Sequence, residues 1–233
     1  MITQKLNNEL PIIFLGDHHG DWSNLFYLID RKKIKNCYLI SVGDSGIGFE
    51  PKNKQLKTIN RLDGLFKEKN IYFKSIRGNH DDPFYYQKEN RTNLKHFELI
   101  EDYSVYEYNS KLFQFIGGAV SIDRTGRREG ISHWAGEGVM FDKSKCCKVD
   151  VLITHTAPSY CFPQQFNEMV YGWAREDAYL LEDLTDERAV MDEIFKICSP
   201  EQHFYGHFHS TWTERVNGCV SKLLDINELY EYK

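Results

Sequence analysis

Residues 12–20 read IIFLGDHHG. A four-residue apolar run stops at a glycine, and acidic and imidazole side chains follow at once. A short continuous apolar run bounded by a turn signal is how a strand buried on both faces reads. The pattern recurs down the chain. CYLISV (37–42) ends at Gly43-Asp44, and IYFKSI (71–76) ends at Arg77-Gly78-Asn79-His80. VDVLI (149–153) ends at Thr154-His155, and HFY (203–205) ends at Gly206-His207-Phe208-His209. Between these runs lie helical stripes. Residues 22–31 place Trp22, Leu25, Phe26 and Ile29 on one face, and residues 54–67 do the same with Leu56, Ile59, Leu62, Leu65 and Phe66. Residues 176–198 read as helix, with Asp183-Leu184-Thr185-Asp186 as an interruption. Alternating residues over 103–108 and 111–116, joined at Asn109-Ser110, predict a hairpin. So do 211–216 and 219–224, joined at Asn217-Gly218. Strands alternating with helices predict an α/β fold, here two packed sheets with helices outside.

The chain's 233 residues suit one large domain spanning 1–233. With 41% hydrophobic and 27% charged residues, it has the balance of a globular protein with a core of ordinary size. The net charge of −5 offers no global basic field to draw it to nucleic acid, which favours a small substrate. Six cysteines are scattered, with no C-x-x-C pair. The opening MITQKLNNELPIIFLGD holds too short an apolar run for a secretory signal, and no segment approaches a membrane span. A cytoplasmic protein with reduced cysteines and no membrane partner is expected.

In open α/β sheets, sites gather beyond the carboxyl ends of strands. Asp17, His19, Asp44, Asn79, His155, His207 and His209 are therefore expected to converge although they are far apart in sequence. Each motif alone reads as a polar turn; a turn requirement does not explain why five separate strands end in His, Asp or Asn. Carboxylate with imidazole suits manganese, iron, zinc or nickel. The absence of cysteine from these motifs argues against a structural thiolate zinc site. Two ions about 3.5–4 Å apart need a bridging carboxylate, and Asp44 is placed for that role.

The series GDHHG (16–20), GD (43–44), GNHD (78–81), TH (154–155) and GHFH (206–209) resembles the calcineurin-like metallophosphoesterases in order and spacing, from residue 16 to residue 209. The resemblance implies an αββα two-sheet sandwich and two divalent ions, manganese first, with iron, zinc or nickel as alternatives. It implies that Asp17, His19 and His209 hold one ion, that Asn79, His155 and His207 hold the other, and that Asp44 bridges them. His80 would stand near the leaving group and donate its proton; the resemblance names no carboxylate present here to orient it, and Asp81 or Asp82, next in sequence, is the candidate. His18 carries no implied role.

Protein phosphatases of this superfamily carry GDxVDRG at the second motif, whereas residues 43–49 read GDSGIGF, with Ile47 and Gly48 where that subfamily has Asp and Arg. A protein-phosphatase assignment is therefore disfavoured. A phosphate clamp is sought instead in GGAVSIDRTGRREGISHW (117–134), which resembles the GGAxSID…R…W segment of small bacterial and phage relatives. Arg127 is preferred there, with Arg124 and Arg128 as alternatives, because an arginine fork matches phosphate oxygens. Trp134, Trp173, Tyr160 and Tyr171 are expected to serve packing more than base stacking. The function expected is hydrolysis of phosphomonoesters or small phosphodiesters. The alternative is a nucleotide or nucleic-acid phosphodiesterase acting on dinucleoside polyphosphates or cyclic phosphates. A non-catalytic scaffold of the same fold is disfavoured because every ligand position and His80 are present. A structural zinc protein would need a closed site.

Overall fold

The computed structural model describes residues 3–233. Among these the strands form two sheets. The smaller sheet orders β12 (Leu229–Glu231), β2 (Ile12–Leu15), β3 (Cys37–Ser41), β4 (Ile71–Ser75) and β5 (Phe97–Leu99). β2 to β5 run parallel and β12 antiparallel. The larger sheet orders β1 (Thr3–Lys5), β6 (Ser104–Tyr108), β7 (Lys111–Ile116), β8 (Val151–Thr154), β9 (Gln202–Tyr205), β11 (Cys219–Leu223) and β10 (Trp212–Val216). Its centre, β7-β8-β9-β11, is parallel.

The two-residue period of a strand divides the apolar runs between two cores. From β2 and β3, Ile12, Phe14, Tyr38 and Ile40 face the other sheet, where they meet Phe113, Phe115, Val151, Ile153 and Phe204. Leu15, Cys37 and Leu39 point the opposite way, onto α1 (Trp22–Arg31) and α2 (Lys52–Glu68) through Leu25, Ile29, Ile59, Leu62 and Phe66. The outer face of the larger sheet, with Ile116 and Leu152, is covered by α4 (Leu180–Cys198) through Met191, Ile194 and Phe195. The architecture is the expected αββα sandwich. No helix among the described residues is long and apolar enough to cross a membrane.

Both hairpin turns form where expected. Asn109, Ser110, Asn217 and Gly218 all have positive φ, as a two-residue turn matching strand twist requires. The helix interruption expected at residues 183–186 is absent; α4 runs through it without a break. Leu184 is buried, the Thr185 hydroxyl donates to the Leu181 carbonyl, and Glu182 and Asp183 place negative charge at the positive end of the helix dipole. α4 starts at Leu180 rather than at 176, and a short helix α3 (Glu168–Trp173) precedes it.

Candidate active site

The parallel strands of both sheets deliver their following loops to one place. Asp17 follows β2, Asp44 follows β3, Asn79 and His80 follow β4, His155 follows β8, and His207 and His209 follow β9. Ligand atoms of Asp17, His19, Asp44 and His209 all lie within 4.8 Å of one another. Within that cluster the Nε2 atoms of His19 and His209 are 3.0 Å apart. His209 Nε2 is 3.4 Å from Asp17 Oδ2, and His19 Nδ1 is 3.6 Å from Asp44 Oδ2.

A second group adjoins it through Asp44. His155 Nε2 is 3.2 Å from Asp44 Oδ1 and 3.1 Å from Asn79 Oδ1, which is also 2.9 Å from His207 Nδ1. Asn79 is held in this orientation because its Nδ2 donates to Ser121 Oγ at 3.0 Å. The His155 ring is fixed from behind, its Nδ1 donating to the Val42 carbonyl at 2.8 Å. In a neutral ring that bond leaves the Nε2 lone pair aimed at two oxygens that are themselves acceptors.

The backbone carries strain here. His19, Asp44, His207 and His209 all have φ between 46° and 70°. Non-glycine residues in sparsely populated backbone regions cost of order 1–3 kcal/mol each and gather at functional sites. Two motif glycines answer a different need. A Cβ on Gly78 would stand 2.0 Å from Asp44 Oδ1, and one on Gly206 would stand 2.2 Å from Asp17 Oδ1. The loops approach the carboxylates too closely for any side chain.

The electrostatics follow from burying two carboxylates among imidazoles. Burial opposes charge on Asp44, yet the facing rings of His155, His80 and His19 hold its carboxyl well below the usual range. Burial likewise opposes charge on His155, but Asp44 and Asp17 push it up to about 10. The hydrogen bond to Asp17 raises His209, while burial and the neighbouring His155 depress His207. The site thus calls for positive charge between its oxygens, supplied by a proton or by a cation. Asp17 Oδ1 is buried with no hydrogen-bond partner among the described residues. Converging acceptors, an unpartnered carboxylate oxygen and a mixed oxygen and imidazole donor set all fit divalent metal ions.

His80 lies beside this cluster, its ring 4.7 Å from that of His19 and its backbone N–H donating to Asp44 Oδ1 at 2.8 Å. Its Nε2 faces Arg127 Nη2 at 2.7 Å. Because a guanidinium only donates, His80 is here a neutral acceptor. Burial, with Arg127 adding to it against the pull of Asp44, lowers its pKa to about 4. Arg127 also meets Asp123 at 2.7 Å and Ser121 Oγ at 3.2 Å.

Other expected site residues stand differently. Asp81 does not orient the His80 ring. Its two oxygens accept from the backbone N–H groups of Ser45, Ile47 and Gly78 at 2.8–3.1 Å, which ties the second motif loop to the third. Asp82 accepts from Phe84 N–H instead. Arg124 is spent elsewhere, on Asp177 and on Asp183 of α4, so it is not free to grip phosphate. Trp134 is buried, Trp173 packs over Gly126, and Tyr160 packs against Phe195, while Tyr171 is exposed. His18 is buried against Trp22 and, with burial the main cause, has its pKa lowered to about 3. Ser121, Asp123 and Phe49 at the site were not among the expected residues. Ser121 and Asp123 stand inside the quoted SID segment, and Phe49 closes the quoted GDSGIGF stretch.

The calcineurin-like phosphoesterase family matches residues 10–211, and the chain belongs to it. It is a hydrolytic enzyme of a metal-dependent family acting on phosphoesters. No curated protein sequence matches the chain. Among solved structures, the phosphopantetheinyl hydrolase of Mycobacterium tuberculosis is similar at 11% identity and a TM-score of 0.47, with 97% of each chain covered. A putative 5'-nucleotidase of Staphylococcus aureus is similar at 12% identity and a TM-score of 0.46, covering 96% of this chain and 53% of the other. Both likenesses are too remote to indicate what this chain acts on.

Proposed function

We propose that this protein hydrolyses small phosphate esters at a centre of two divalent cations, with the whole chain serving as one catalytic domain. Asp17, His19 and His209 would hold one ion, Asn79, His155 and His207 the other, and Asp44 would face both. The observation that carries this reading is the convergence of acceptor atoms on Asp44 from both sheets, with His155 Nε2 3.2 Å away on one side and His19 Nδ1 3.6 Å away on the other. Manganese suits this donor set first, with iron, zinc or nickel also compatible. When bound, such ions polarise phosphoryl oxygens and make water nucleophilic near neutral pH.

The chain's own groups supply the rest. Arg127 exchanges its hydrogen bond to His80 for one to the phosphoryl oxygens, where its fork offsets the charge that develops during transfer. His80 Nε2, released from Arg127, takes a proton from solvent and passes it to the ester oxygen as the P–O bond breaks. Ser121 Oγ accepts from both Asn79 and Arg127, which links the second ligand group to the phosphate clamp. Asp81 acts as a positioning residue through the loop amides it accepts from.

The test is hydrolysis of 4-nitrophenyl phosphate and bis(4-nitrophenyl) phosphate by metal-stripped protein, with manganese, nickel, zinc or magnesium restored singly. Activity that returns with metal and is lost in Asp44→Asn supports the reading, and the ratio of the two rates separates monoesterase from diesterase. Metal that binds without turnover of either ester would overturn it.

A further inference from the structure

Phe49 stands in solvent at the edge of the site. Its side chain is 42% exposed, although Ile47 nearby is fully buried. The ring lies nearly parallel to His80, at 21° and 6.1 Å between centroids. It meets Trp134 edge-on, at 90° and 5.1 Å. Trp134 is itself 6% exposed, so it acts as a fixed wall. The backbone before Phe49 is pinned on three sides. Ile47 N–H donates to Asp81 at 2.9 Å, the Ile47 carbonyl accepts from Asp82 N–H at 2.7 Å, and Gly48 N–H donates to Gln55 Oε1 at 2.8 Å. A ring whose preceding backbone is held this firmly, and whose edge packs on a buried indole, has less freedom to lose when a ligand binds. Its edge serves Trp134, and much of the ring remains open to water.

The order of these rings points to what can lie there. From His19, in the ligand cluster, to His80 is 4.7 Å, and from His80 on to Phe49 is a further 6.1 Å. A ring joined directly to the ester oxygen would lie against His80. A ring that reaches Phe49 must be carried farther out by a short spacer. Phe49 also follows Gly48, where a Cβ would stand 2.3 Å from that of Asp82, so the loop bearing the ring is closed tightly onto the loop that bears His80.

We propose that Phe49 is a stacking platform that selects phosphate esters bearing a flat aromatic group one sugar-length beyond the leaving oxygen, the chemistry of a nucleotide. This rests on the phosphoester-hydrolysis reading and adds to it the side of the site on which the leaving group is recognised. Stacking of a base on one aromatic side chain corresponds to about 5- to 150-fold in affinity.

The experiment uses adenosine 5'-monophosphate and ribose 5-phosphate, which share the ester and differ by the base. Their kcat/KM values are compared in manganese-loaded wild type, Phe49→Leu and Phe49→Tyr. The expected preference for the nucleotide is about tenfold or more, collapsing toward unity in Phe49→Leu and returning in Phe49→Tyr. The same pair of ligands is titrated against the intrinsic tryptophan fluorescence of all three proteins, which reads binding without turnover. A wild-type preference near unity, or one that survives in Phe49→Leu, overturns the platform. So does an equal loss of 4-nitrophenyl phosphate turnover in Phe49→Leu, since that ring has no spacer. If the nucleotide binds better than the sugar phosphate in a Phe49-dependent way but no ester is hydrolysed, the platform stands and the hydrolytic reading falls.

Discussion

Replacing Glu187 by Gln changes how stability depends on pH, and the burial of this side chain sets the size of the change. Glu187 lies on α4, is 7% exposed, and its Oε1 has no hydrogen-bond partner among the described residues. Burial pushes its carboxyl up from 4.5 to about 7, against the opposing pull of nearby backbone groups at Val139 and Val120. The folded state therefore holds the proton more tightly than the unfolded chain. This contribution to stability is fully present below pH 4.5, declines as pH rises, and is gone above about 7. At about 1.4 kcal/mol per pH unit, the whole contribution is ~3 kcal/mol. Gln keeps the shape of the neutral acid and cannot ionise. Urea unfolding of both proteins at pH 5, 6, 7 and 8, at one metal concentration, should show the variant gaining on wild type by roughly 2–3 kcal/mol across that range. Taking the difference cancels every other titrating group, including those of the active site. A difference that stays constant from pH 5 to 8 would refute the reasoning, because it would mean that Glu187 ionises as it does in the unfolded chain.

Two further outcomes follow from contacts at the site. Arg127→Ala should lower kcat/KM for 4-nitrophenyl phosphate by about 10²- to 10³-fold, and Arg127→Lys should not restore it, because a single ammonium cannot span the partners of the planar fork; a loss below threefold would remove Arg127 from the chemistry. Gly78→Ala would set a Cβ 2.0 Å from Asp44 Oδ1 and 2.7 Å from His155 Nε2, so it should empty the centre. Atomic absorption after dialysis against manganese, with circular dichroism to show that the fold persists, reads this directly, and wild-type metal content would contradict it.

The convergence of these acidic and imidazole side chains was legible because strands buried on both faces spell continuous apolar runs, and each run ends where the buried sheet ends. The helix at residues 22–31 was legible from its stripe, and its bounds agree with α1. The three-residue strands β1, β5 and β12 were not, since so short a segment cannot display a period. Asp and Thr are poor helix formers, yet α4 runs unbroken through residues 183–186. Tertiary partners overrode that propensity, with Leu184 entering a buried cluster and Asp183 meeting Arg124.

The sequence by itself determined which residues are chemically able to hold metal, on which strand ends they stand, and that the family fold would gather them. Those are local properties of residue type and apolar period. Only the tertiary structure decided how polar groups pair across loops. Arg124 and Arg127 are alike in type and three positions apart, yet one meets Asp177 and Asp183 and the other meets His80 and Ser121. Asp81, adjacent to His80 in sequence, spends its oxygens on amides from another loop. Phe49 became a candidate for recognition through its neighbours His80 and Trp134, which are distant in the chain. A side chain's role is set by the partners that compete for its hydrogen bonds and its faces, and those partners exist only once the loops have met.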